Sequence, residues 1–143
     1  MEAPFLGKKI RVHRDKNSPL VFEGKLLASA DGRIVQNQER VHWHSIDIYE
    51  TKKGTYVAKI GYHTMLLEEK SCQDAASFSG PDAVVNLAQW LQNWKLDEFD
   101  KLVAGSSDRA SHKRSCLILK QGYGVTISDV LGRAGEEFVE RVP

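Results

Sequence analysis

The sequence predicts one α+β domain: a bent antiparallel sheet of about four to six strands, with two or three helices packed on one face. Three observations predict it. Strand-like segments crowd into roughly the first 80 residues. Val41–Thr64 alternates cleanly between apolar and polar residues on either side of a turn. A stripe with helical spacing begins only after Pro81.

The bulk properties agree. The chain has 143 residues, enough for one core without metal or disulfides. Apolar residues make up 41% and charged ones 27%, which excludes disordered and membrane compositions. Net charge is +1, split as +3 over residues 1–71 and −2 over 72–143, too even for a dedicated polyanion binder. No apolar run approaches the ~20 residues that span a bilayer. Met1–Phe5 lacks a basic region leading into an apolar one, so no secretory signal is expected. Cys72 and Cys116 form no framework and no Cys-x-x-Cys, which points to reduced thiols in a cytoplasmic protein.

Taken in order, Leu6–Arg14 alternates around Ile10 and Val12 and predicts a strand. Asp15–Pro19 is a turn by its Asn-Ser-Pro chemistry. Leu20–Ala28 is a second strand with Leu20, Phe22 and Leu26 in one phase, and Gly24 marks a bulge. Ala30–Arg33 turns, Arg33–Gln36 forms a short strand and Asn37–Arg40 connects.

The hairpin is the clearest element. Lys52-Lys53-Gly54 makes its loop, with Gly54 where positive φ is needed. Thr51 then pairs with Thr55, Tyr49 with Val57, Asp47 with Lys59, Ile46 with Ile60, His44 with Tyr62 and Trp43 with His63. Ile46, Ile48, Tyr56, Ala58, Ile60 and Tyr62 share one face; Ser45, Asp47, Lys59 and Gly61 share the other. A slip of one residue would set Ile46 against Lys59.

After Met65–Lys70 a short strand is expected at Ala75–Phe78. Gly80-Pro81-Asp82 starts a helix whose face is Val84, Leu87, Leu91 and Trp94, with Trp90 beside it. Lys95–Val103 predicts a further helix ended by Gly105. Gly105–Ser115 is expected to be a mobile polar loop, Cys116–Lys120 a buried strand and Gln121–Gly124 a turn. A last helix from Thr126 or Ser128 to near Arg141 buries Ile127, Val130, Leu131, Ala134 and Phe138, although Gly132 and Gly135 weaken it.

Four constellations bear on function. His42 and His44 point to one strand face, the spacing of a metal pair, with His63 across the hairpin as the third ligand and Glu68 or Glu69 to complete the site. In the preferred register His63 faces away from them, so ordinary sheet-end histidines weigh against a metal-dependent hydrolase. Next, Trp43 with His63 and Tyr49 with Val57 form aromatic pairs on the face that should be polar. Either another segment covers them or they bind a partner.

Basic residues form the third group. Lys9, Arg11 and His13 share one strand face, beside Lys8 and Arg14, and Arg109, His112, Lys113 and Arg114 lie close together in the predicted loop. Lys9, Arg11, Arg109, Lys113 and Arg114 are the candidate phosphate contacts of a nucleic-acid-binding accessory protein. A solvated edge strand uses the same residues to block aggregation. Last, His112 precedes Cys116 by four residues but in a loop, and Gly122-Tyr123-Gly124 is no dinucleotide motif, so no cofactor and no catalytic residue is expected. The function expected is a non-enzymatic interaction or regulatory module. It binds a protein partner or its own copy through Trp43, Tyr49, Val57 and His63, with Asp47 and Lys59 at the rim.

Overall fold

The structure, a computed structural model, describes residues 7–15, 17–32, 42–64, 72–94 and 109–140. The elements are β1 (Lys8–Val12), β2 (Leu20–Asp31), β3 (His42–Thr51), β4 (Tyr56–Thr64), β5 (Cys72–Phe78), α1 (Ala83–Asn93) and α2 (Arg109–Glu140). The five strands are antiparallel and pair in sequence order, so the expected α+β architecture is present.

Hairpin β3–β4 takes the register that amphipathic alternation predicts, from Trp43 opposite His63 to Tyr49 opposite Val57. Its loop is closed by the Thr51 N–H donating to Thr55 O at 2.8 Å, and Gly54 has φ of 83°. The periodicity of two then sorts the side chains. His44, Ile46, Ile48, Ala58, Ile60 and Tyr62 are buried on one face. Helix α2 lies over β2 and β3 on that face, and α1 over β4 and β5. Leu87 and Leu91 come from α1, Trp94 from the residue that caps its end, and Tyr123, Ile127, Val130 and Ala134 from α2.

Sheet curl brings the two edges together at one end. Beyond β1, Asp15 N–H donates to Gln73 O at 3.2 Å, and Gln73 N–H donates to Asp15 Oδ2 at 2.8 Å. The next edge residue of β5 is blocked as well, because Ala75 N–H is taken by Asp74 Oδ1 at 2.8 Å. Asp74 Oδ2 accepts Trp94 Nε1–H at 3.0 Å, which ties the end of α1 to the same strand.

Two expectations are corrected. The bulge in β2 lies between Leu26 and Ala28, not at Gly24. Gly24 is required for close approach instead: a Cβ there would lie 2.6 Å from Glu50 O. The bulge also switches phase, so Leu20, Phe22 and Leu26 line the face away from the helices while Ala28 and Ala30 enter the core.

The second correction is larger. Cys116–Lys120 is helix rather than strand, Gln121–Gly124 is helix rather than turn, and residues 109–115 of the expected loop are helix too. The helix thus begins at Arg109, well before Thr126. Tyr123, Ile127, Val130 and Ala134 recur at helical spacing, and Tyr123 is 1% exposed. Its hydroxyl donates to Leu91 O, and Thr126 Oγ1 donates to Gly122 O at 2.8 Å. Packing of this stripe outweighs the ~1 kcal/mol that each interior glycine costs a helix. The expected elements at Arg33–Gln36 and Lys95–Val103 lie outside the described residues.

Tyr123→Phe removes the hydrogen bond from this ring to the Leu91 carbonyl of α1. It should lower unfolding free energy by about 1–2 kcal/mol in urea titration with an unchanged m-value.

Candidate functional site

The face away from the helices is a grid set by the strand registers. Asp31, Ser45, Gly61 and Gln73 form one row across β2 to β5. Ser29, Asp47, Lys59 and Ala75 form the next, and Trp43 and His63 flank the first row on its other side. No described helix covers this grid, yet it is not bare: Val12, Val57 and Ala75, which share the face, are 1%, 2% and 3% exposed.

Gly61 shapes its centre. His63 and Ser45 lean together across the gap that Gly61 leaves, and Ser45 Oγ lies 2.7 Å from His63 Nε2. A Cβ on residue 61 would stand 2.8 Å from Nε2 and 3.0 Å from Oγ. What remains is a hollow of about 200 Å³, with Ser45, Lys59, His63 and Gln73 among its walls. Trp43 stacks on the His63 ring at 5.4 Å between centroids, which fixes the imidazole plane. Nearby, Ser29 Oγ–H donates to Asp47 Oδ1 at 2.6 Å.

Partial burial holds His63 below its ordinary value of 6.5; Asp31 and Asp47 oppose the shift and Lys59 reinforces it. The imidazole is therefore neutral at neutral pH. Tyr49 shifts the other way, raised by burial and then by Asp47.

A second hollow, of about 240 Å³, opens at Gly24 between Lys8, Ile10, Lys25, Leu26 and Tyr49. Phe22 meets Tyr49 edge-on at 5.6 Å beside it, and Leu26 is 52% exposed. This part of the face is apolar where the Gly61 part is polar.

The candidates from sequence fall as follows. Trp43, Tyr49 and His63 are half-buried on the helix-free face; Val57, directly opposite Tyr49, shares it but is 2% exposed. His44 lies on the opposite face, packed on Tyr62, Trp94 and Tyr123, and the side chain of His42 lies outside the described residues. The sheet therefore separates His44 from His63, and among the described residues no group of three metal-ligating side chains forms. Glu68 and Glu69 lie outside the described residues.

Lys9 and Arg11 are exposed on β1, with Lys9 opposite Glu23. Arg109, Lys113 and Arg114 start α2, and their side chains lie outside the described residues. Sequence reasoning placed Ser45 and Gly61 on the polar face but did not foresee the Ser45–His63 bond. Register alone predicts it: Ser45 opposes Gly61, and His63 stands two residues further on. No family model, curated protein or solved structure matches the chain.

Below pH 6.5 the unfolded imidazole binds more protons than the folded one, so His63 makes stability rise with pH up to about that value. Proton titration by NMR should give His63 a midpoint below 6.5, and Gly61→Ala, by displacing the ring, should return it toward 6.5.

Proposed function

We propose that the chain is a protein-binding module working through the helix-free face of its sheet, and that a second copy of the chain is its occupant. Leu26 carries the proposal. It is a large apolar side chain, half exposed, set beside an apolar hollow at Gly24 on the same strand. A two-fold axis lets each copy's knob meet the other's hole, the self-complementarity that an isologous contact needs. Charge supports the same occupant: Asp47 and Lys59 stand side by side, so a copy turned through 180° presents Lys to Asp.

The edges offer less. Asp15 and Asp74 occupy backbone donors of β5, and β1 exposes Lys8, Lys9 and Arg11. Both devices discourage strand addition and leave a face as the route to association. Trp43, Tyr49 and Phe22 are the aromatic anchors such a face uses at its centre, with Lys59 and Asp47 toward the rim.

Sedimentation velocity over a concentration series should show a monomer–dimer equilibrium for untagged protein. Leu26→Glu and Trp43→Ala should each weaken it more than about tenfold without changing the circular dichroism spectrum. A concentration-independent monomer, or a Trp43→Ala chain that unfolds, would exclude this interface.

A further inference from the structure

Beyond binding, we propose that in the monomer, where no second copy covers the face, Ser45 and His63 form a nucleophile–base pair that accepts the acyl group of a short-chain ester in the hollow at Gly61. The 2.7 Å separation of Ser45 Oγ and His63 Nε2 lies in the range at which an imidazole takes a hydroxyl proton. Both side chains stand on paired strands rather than loops, which holds the geometry. The missing Cβ of Gly61 lets the two atoms meet, since any other residue would press on both.

The surroundings suit acyl transfer. Burial keeps His63 neutral, the state that a base requires. Asp31 and Asp47 favour the imidazolium once it forms. Lys59 lines the same hollow and supplies a positive charge for the oxyanion. At about 200 Å³ the hollow is smaller than the sites of drug-sized ligands and fits an acyl group of a few carbons. Cys72 also borders it, but its side chain belongs to the opposite face, where it packs against the core.

In the first step Ser45 Oγ bonds to the carbonyl carbon, its proton passes to His63 Nε2, and the ester C–O bond breaks as the leaving alkoxide takes that proton. In the second, His63 takes a proton from water, the hydroxide displaces Ser45 Oγ from the acyl carbon, and the proton returns to Oγ. The products are one alcohol and one carboxylic acid.

Diisopropyl fluorophosphate tests the pair directly on the full chain, diluted until sedimentation shows the monomer. One diisopropylphosphoryl group should appear on Ser45 by peptide mass mapping, with none on Ser45→Ala, and labelling should slow about 100-fold in His63→Gln. Hydrolysis of p-nitrophenyl acetate by the unaltered chain should rise with pH through a single ionisation below 6.5 and fall to background in Ser45→Ala. An unlabelled chain, a label on another residue, or hydrolysis that survives Ser45→Ala would overturn the proposal; the first two outcomes need no variant to fold.

Discussion

The register of the β3–β4 hairpin is the constraint on which everything else rests. Its side chains alternate so strictly that a shift by one residue would exchange the two faces of the sheet. In the observed register Ile46, Ile48, Ala58, Ile60 and Tyr62 are all 0% exposed. A slip would carry a large part of that surface into water, at about 1.5–3 kcal/mol for each large side chain. The same register fixes the polar face without any separate device: once Ile46 opposes Ile60, Ser45 must oppose Gly61 and Trp43 must oppose His63.

Helix packing is organised around one aromatic knot on the buried face. His44 from β3 meets Tyr62 from β4, Trp94 at the end of α1 and Tyr123 from α2, with centroids 4.6–5.7 Å apart. Tyr123 brings its hydroxyl to Leu91 O, so a polar group enters the core with its hydrogen bond made. Gly32 belongs to the same junction, since a Cβ there would lie 2.8 Å from Thr126 Oγ1 and 2.9 Å from His44 O. Small residues on the sheet and a ring on the helix let α2 seat closely over β2 and β3.

The hairpin was legible from sequence because its signal is local: alternation, a loop glycine and opposed charges all lie within a stretch of about 24 residues. The stripe Leu87, Leu91, Trp94 was legible for the same reason. Residues 116–124 were not. Cys116–Lys120 is an apolar run too short for its period to separate strand from helix, and Gly122 and Gly124 carry the composition of a turn. What decides the matter is tertiary: Tyr123 bonds to Leu91 of α1, 32 residues away in sequence, and meets His44 of β3, still further off. The bulge in β2 was hidden likewise, because Leu26 and Leu27 are equally apolar and only the sheet determines which of them faces the helices.

On the helix-free face two glycines stand where side chains would otherwise be. In an antiparallel sheet with one face packed, the other ordinarily carries polar side chains and meets water. Here Gly24 and Gly61 each remove a side chain from that face, and the neighbours left standing are aromatic around one, Phe22 and Tyr49, and polar around the other, Ser45, Lys59 and His63. Glycine inside a strand is unfavourable for the strand itself, through backbone entropy and lost packing. At Gly24 the close approach of Glu50 O accounts for it. At Gly61 the atoms a Cβ would strike are Ser45 Oγ and His63 Nε2, side-chain atoms that a sheet of this kind does not need to bring together. The three atoms nearest a Cβ at residue 61 all belong to Ser45 and His63, so the glycine ties the register of the hairpin to the contact between these two side chains.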